Sequence, residues 1–294
     1  MSKILEQAIV PEDWYGKRLD QALELLLPEA GLRERKRMWD RYAVLVDGRP
    51  RPKGFRVQTG QELSLRSLEI EVQDVPPLVP DGVRVVGQKS DFMAAVFKPS
   101  GVHCAAIAGR PGPSVEGALD TLWPGQHARL VNRLDLLTSG LVLVALTEDA
   151  HLGYRNNEDA GQVEKVYLAL VLGEVAEPFT VSYALETADR KKVRVLSHDD
   201  DNPVRWTRVE PLRRFSDMGT TLVRVRISKG ARHQIRAHLA ASGYLIVGDP
   251  LYGVGEEGDR MYLHHFRTSL PKFEAKVIPD WPEWADWGLE KDSI

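Results

Sequence analysis

Apolar positions recur at helical spacing in two stretches near the N-terminus and at strand spacing over much of the remaining chain. In "GKRLDQALELLL" Leu19, Leu23 and Leu26 fall on one side of a helix, and "LRERKRMWDRYA" predicts a second, strongly basic one. The following "VLVDGRPRPKGFRVQTGQELSLR" alternates apolar and polar residues around the turn signals Asp47-Gly48 and Thr59-Gly60, which predicts short strands. Residues 67–82, "SLEIEVQDVPPLVPDG", mix three prolines with several acids and read as an extended linker between residues 1–66 and 83–294. Beyond it strand-like runs recur in "VRVVGQ", "FMAAVFK", "LVLVAL", "VYLALVLG", "KKVRVLS" and "TLVRVRIS", with helical segments near residues 114–122 and 232–242. Such mixing without regular strand-helix alternation predicts an α+β fold, not a doubly wound sheet.

Composition narrows the class. At 294 residues and 43% hydrophobic content the chain can bury the core of one sizeable domain with a smaller one attached. Its longest aliphatic runs, such as Leu141 to Leu146, are far shorter than a membrane span, and "MSKILEQAIVPEDW" has no apolar signal-peptide core, so a cytoplasmic protein is expected. The single cysteine, Cys104, excludes an internal disulfide and a cysteine-rich zinc site, and reads as a small residue packed in a loop. A net charge of -3 argues against a protein that coats nucleic acid, but the distribution is uneven. Between Gly31 and Arg56 nine basic residues, Arg33, Arg35, Lys36, Arg37, Arg41, Arg49, Arg51, Lys53 and Arg56, face three acids. That stretch is either a footprint for phosphates or a solvated helix face.

The candidate chemistry centres on "ARLVNRLDLLTSGLVLVAL", which holds Asp135 between an arginine and a Thr-Ser-Gly turn ahead of an aliphatic strand. Gly140 can take backbone angles closed to other residues, Thr138 and Ser139 can hydrogen-bond the local backbone, and the strand anchors the loop. Asp135 is therefore a candidate nucleophile or base, with a turn-stabilising aspartate as the alternative. In "TLVRVRISKG" Val223, Val225 and Ile227 share one face and Arg224 and Arg226 the other. A helix after Gly230 would set Arg232 and Arg236 on one face above an apolar stripe of Ile235 and Leu239, with Gly243 as its stop. Either arginine offers a guanidinium across a cleft or covers its own helix. Tyr167, on an apolar strand, reads by itself as a core residue. His233 and His238, and the pair His264 and His265, invite a metal reading, but no carboxylate cluster accompanies them.

"NRLDLLTSGLVLVAL" resembles the His-Arg-Leu-Asp-x-x-Thr-Ser-Gly signature of the RluA family of pseudouridine synthases. "EKVYLALVLG", "GARHQIRAHLAASGYLIVGDPLYG" and "RMYLHHFRTSLP" resemble further family blocks in the same order, covering about residues 94–272. The helix, basic helix, "VDGRP" and "GQEL" pattern over Gly16 to Arg66 resembles the S4 RNA-binding domain. The resemblance implies a catalytic domain with a mixed, largely antiparallel sheet flanked by helices, plus a small S4-like α/β domain. It makes Asp135 the essential acid, Arg236 its charge partner and Tyr167 the ring that stacks on the target base. Arg133, Lys165, Arg232, His233, Gln234 and Ile235 would bind substrate, and Arg33, Arg35, Lys36, Arg37 and Arg41 would grip RNA. No metal or cofactor is implied, and the expected partner of the monomer is ribosomal RNA, with transfer RNA as the other choice.

The reaction so implied breaks the N1–C1′ bond of a uridine, turns the freed uracil and rejoins it through C5. Attack of the aspartate on C1′, its addition to the uracil ring, and removal of a sugar proton all fit these residues. Two departures from the family pattern bear on the surroundings of the site: Asn132 replaces the usual histidine, and Gly230-Ala231-Arg232-His233-Gln234 replaces Gly-Arg-x-His-Gln. A catalytically silent RNA-binding or ribosome-assembly protein is the rival reading, and the presence of Asp135, Tyr167 and Arg236 together argues against it. A carboxylate-pair glycosidase is disfavoured because the sequence offers no second acid of comparable placement.

Overall fold

Alternating strands around an Asp-Gly turn build the first of two units, Met1–Val75, and a much larger sheet builds the second, Pro76–Ile294. The computed structural model describes residues 4–28, 42–67, 79–89, 91–105, 113–188, 192–256 and 258–288. The predicted basic helix, and with it Arg33, Arg35, Lys36, Arg37 and Arg41, lies outside the described residues.

In the first unit, β1 (Ile4–Ile9), β2 (Tyr42–Val46), β3 (Arg49–Pro50) and β4 (Glu62–Ser67) form an antiparallel sheet in the order β1-β4-β2-β3. Asp47 and Gly48, both at positive φ, make the two-residue turn between β2 and β3, where glycine meets the demand without strain. The predicted leucine stripe is buried, but its helix is shorter than expected. α1 (Leu19–Ala22) passes at once into a 3-10 turn over Leu23–Leu25, with Pro28 close behind. Leu19 and Leu23 pack with Val44, Val46, Leu63 and Leu65 into a core of their own.

The second unit is organised by a ten-stranded sheet. Its strands are β5 (Arg84–Lys89), β6 (Met93–Lys98), β7 (Arg129–Leu130), β8 (Ser139–Ala145), β9 (Glu164–Leu172), β10 (Phe179–Val181), β13 (Thr207–Phe215), β14 (Thr220–Ile227), β15 (Leu263–Leu270) and β16 (Phe273–Lys276). A separate hairpin pairs β11 (Tyr183–Glu186) with β12 (Arg194–Asp199). The main path runs β10-β13-β14-β9-β15-β8-β6-β5, with β7 beside β8 and β16 beside β15. The β15–β8 pair is parallel and the other described pairs of this sheet are antiparallel. Helices α2 (Leu119–Leu122), α3 (Glu148–Asp159) and α4 (Gln234–Ala241) flank it. Among the described residues no helix is long and apolar enough to cross a membrane.

Strand alternation decides what each face buries. Tyr167, Ala169 and Val171 of β9 join Val223, Val225 and Ile227 of β14 in packing against Ile235 and Leu239 of α4. Val166, Leu168 and Leu170 face the other way, onto Phe266, Trp281, Trp284 and Trp287. Each fully buried aliphatic or aromatic side chain of this kind contributes about 1.5–3 kcal/mol. Arg224 and Arg226, on the opposite face to Val223 and Val225, both pair with Glu210 of β13. The predicted alternation of β14 is thus realised, its two arginines sharing one carboxylate of the neighbouring strand.

Candidate active site

The loop carrying Asp135 leaves β7 and returns as β8, and the segment after β6 clamps it from beside. Lys98, at the end of β6, is wholly buried and donates from Nζ to the carbonyls of Pro99 (2.9 Å), Val102 (2.9 Å) and Leu136 (3.1 Å). Burial lowers its pKa to about 8. Ser100 Oγ donates to Leu137 O at 2.9 Å, and the thiol of Cys104 meets Leu134 twice, 3.2 Å from its N and 3.5 Å from its O. Cys104 is thus packed in a loop as expected, and it also ties down the residue before Asp135. Thr138 N closes the turn by donating to Asp135 O at 3.2 Å.

The Thr-Ser-Gly turn works differently from the expectation. Ser139 Oγ bonds His264 Nδ1 at 2.9 Å, across 125 residues, and not the local backbone. Gly140, at φ +113°, lies where a Cβ would stand 2.3 Å from His265 O. Glycine is required there because β8 and β15 approach backbone to backbone.

Arg236 reaches Asp135 from α4. Its Nη1 donates to Asp135 Oδ2 at 2.9 Å, while Nε and Nη2 form a two-pronged pair with Asp249 at 2.7 and 2.8 Å. Asp249 is fully buried and also accepts from the backbone N–H groups of Leu251 (2.9 Å) and Tyr252 (3.1 Å). Burial opposes the charge on Arg236, yet the two carboxylates outweigh it and raise its pKa. For Asp249 burial acts upward, and the bonds from Arg236 and the backbone prevail, lowering its pKa. The guanidinium is therefore a fixed cation. Asp135, with 24% of its side chain exposed, is the open end of this chain of charges.

His233 stands at φ 53° just ahead of α4, with Nε2 3.8 Å from Asp135 Oδ1 and Nδ1 3.1 Å from the Tyr252 hydroxyl. This left-handed residue delays the helix to Gln234. Arg232 consequently precedes the helix instead of sharing a face with Arg236, and its Nη2 donates to Thr187 O at 3.3 Å. Gln234 spends its amide on Ala231 N, Arg205 O and Thr207 Oγ1, and Ile235 packs in the core beside Tyr167. Gly243, at φ +84°, follows the helix end as expected.

Tyr167 stacks on His265 with ring centroids 4.4 Å apart and planes 10° apart. Burial raises its pKa, so it holds its proton at neutral pH. His265 is itself neutral, its pKa lowered by burial to about 3, and its nitrogens bond Leu141 O (2.6 Å) and Thr268 Oγ1 (2.7 Å). His264 and His238 are likewise held between two partners each. Lys165, two residues before Tyr167, is buried and pairs with Glu158 of α3, whose Oε1 also accepts from Tyr154 at 3.1 Å. Burial lowers the Lys165 pKa.

Asp135, Tyr167, Arg236, Arg133, Lys165, Arg232, His233, Gln234 and Ile235 all line one cavity of about 750 Å³. Nothing in the local sequence pattern singles out Asp249, Lys98, Tyr252 or Glu158. Glu158 lines the same cavity and is the second acid that the sequence did not reveal, but it is committed to Lys165. Asp249 lay in plain view in "GDPLYG", and its buried guanidinium partner was the missing signal.

A carboxylate locked to a buried guanidinium and a fixed aromatic ring thus share the wall of one cavity beside this sheet, the site around which the chain's relatives can be compared. Residues 93–241 match the family described as RNA pseudouridylate synthase. A Chloroflexus aurantiacus protein named "uncharacterized RNA pseudouridine synthase" is 30% identical over 89% of this chain and 82% of its own. Ribosomal large subunit pseudouridine synthase D of Pseudomonas aeruginosa is 32% identical over 86% of this chain and 79% of its own. The solved structure of human RNA pseudouridylate synthase domain containing 1 superposes with a TM-score of 0.55 at 25% identity, over 69% of this chain and 85% of that one. The chain belongs to the RluA family of RNA pseudouridine synthases and is an isomerase acting on RNA.

Proposed function

We propose that this enzyme isomerises specific uridines of large-subunit ribosomal RNA, with Asp135 as the acting carboxylate, Arg236 as its charge partner and Tyr167 as the ring under the target base. The substrate reading draws on relatives named ribosomal large subunit pseudouridine synthase D. The observation that carries the residue roles is the charge chain Asp249–Arg236–Asp135, anchored in the core and open to the cavity at Asp135. In the reaction the N1–C1′ bond is exchanged for C5–C1′, C5 loses its proton and N1 gains one. The balance is zero, and no cofactor is called for.

The uridine must leave its RNA stack to enter the cavity, at a cost of roughly a few kcal/mol. Arg133, Arg232 and the basic stretch of the S4-like first domain would offset that cost through phosphate contacts. The linker predicted over residues 67–82 would join that domain to the catalytic one; its first residue, Ser67, ends β4, and residues 68–78 lie outside the described ones. The working state is a cytoplasmic monomer. Incubating the purified protein, without added metal, with RNA from cells lacking it tests this reading. New pseudouridine in large-subunit ribosomal RNA is expected; its appearance only in transfer RNA would overturn the substrate assignment.

Tyr167→Phe keeps the ring on His265 and deletes only the hydroxyl. The early steps should proceed while loss of the C5 proton, which a protonated hydroxyl can relay only by passing its own proton on, slows by about 10²-fold or more, the scale of a lost proton-transfer partner. Tritium release from 5-labelled uridine at the wild-type rate would leave the ring alone in the role.

Replacing Arg35, Lys36 and Arg37 together by alanine should weaken RNA binding and leave the single-turnover rate at saturation unchanged. Each lost phosphate contact lowers the slope of log affinity against log salt by about 0.7–0.9, so the triple variant should lose about two units. Titration at three salt concentrations reads the slope, and an unaltered one would make the stretch a solvated face.

A further inference from the structure

Asn132 occupies the position where β7 stops pairing with β8 through its backbone. Arg129 and Leu130 pair with Ala145 and Val144, and Val131 N still donates to Leu143 O at 3.0 Å. The return bond, from Leu143 N, goes to the side-chain Oδ1 of Asn132 at 2.6 Å. The side chain stands in for a backbone carbonyl, which frees the chain to turn away toward Arg133 and Asp135.

This bond also fixes which way the amide points. A backbone N–H requires an acceptor, so Oδ1 faces Leu143 and Nδ2 must face the other way. Nδ2 has no partner among the described residues, and Asn132 lines the same cavity as Asp135 and Tyr167. A cavity-lining residue three positions before the acting carboxylate therefore carries a neutral N–H donor directed away from Leu143.

Every route open to Asp135 has one common electronic demand. Displacement at C1′ and removal of a sugar proton both leave the N1–C1′ electron pair on the uracil, where it spreads over O2 and O4. Addition to the ring at C6 pushes an electron pair through C5 and C4 onto O4. In each case a base carbonyl oxygen gains negative charge in the transition state, where a preorganised donor acts most strongly.

We propose that Asn132 donates from Nδ2 to a carbonyl oxygen of the extruded uracil and stabilises the charge this oxygen acquires as the base is detached or attacked. The proposal rests on the reading that Asp135 acts on a uridine in this cavity. It also accounts for the departure from the family pattern: a neutral imidazole, like an amide, has one accepting atom and one donating atom, so histidine and asparagine can both take the Leu143 N–H and present an N–H to the base.

The test measures tritium release, by the full-length enzyme in excess, from RNA labelled with 5-tritiated uridine in cells lacking this protein. Asn132→Ala should lower the saturating single-turnover rate by about 10²-fold, as loss of a donor to developing charge does, with the half-saturating enzyme concentration changed less than about three-fold. Asn132→Asp keeps an acceptor for Leu143 N and should melt with the wild type, yet it presents an oxygen to the base and should be at least as slow as Asn132→Ala. Asn132→His should recover at least about ten-fold over alanine, since it restores the donor. A wild-type rate for Asn132→Asp would reduce the residue to a strand cap and overturn the proposal. So would weaker binding with a flatter salt dependence and an unchanged saturating rate, which would put the amide on a phosphate. An active Asp135→Asn enzyme would instead sink the reading of the site on which the proposal rests, whatever the Asn132 variants do.

Discussion

Asp135→Asn is expected to abolish turnover, by more than about 10³-fold, while RNA affinity stays within about three-fold. The amide keeps the shape of the side chain and still accepts from Arg236 Nη1, so the loop held by Lys98, Ser100 and Cys104 has no reason to move. What disappears is the anion. Single-turnover tritium release beside filter binding separates the two quantities. Retention of a tenth of the wild-type rate would remove Asp135 from the centre of the mechanism.

Arg236→Ala should damage both stability and chemistry. It leaves Asp249 fully buried without its cation, and breaking a buried pair from one side costs about 3–5 kcal/mol. It also removes the donor that orients Asp135, so turnover of whatever remains folded should fall by about 10²-fold or more. Arg236→Lys separates the effects. A lysine retains the charge but cannot give two bonds to Asp249 and a third to Asp135. It should melt closer to the wild type than alanine does, yet turn over nearly as poorly. An alanine variant with an unaltered melting temperature would mean that the Asp249 pairing does not anchor the site.

Local pattern made much of this arrangement legible. The alternation of β14, the turn at Asp47-Gly48 and the strand after Gly140 all follow from neighbours in sequence, and the motif around Asp135, Tyr167 and Arg236 singled out the residues that meet in one cavity. Long-range bonds stayed hidden. Nothing near Lys98 announces that its ammonium binds Leu136 O, 38 residues on, and Ser139 read locally as a turn residue although its partner is His264. Glu158 sits in the polar run "RNNED", where an acid looks solvated until Lys165 is seen to bury against it. Arg232 departs from helical spacing for another reason: the left-handed backbone of His233 holds back the start of α4, which periodicity alone does not encode.

The position of β15 has a consequence for how the enzyme comes into being. Asp135 belongs to the half of the sheet built on β8 and β6, whereas Tyr167 and Arg236 belong to the half built on β9 and β14. The strand joining the two is β15, which is made after all four of these. Its His264 and His265 grip Ser139 on one side and stack on Tyr167 on the other. A nascent chain that has already produced every acting residue therefore still lacks the strand that sets them in register, and non-local pairings of this kind form slowly. Catalytic competence thus waits on a keystone strand, the pairing of β15 with both β8 and β9.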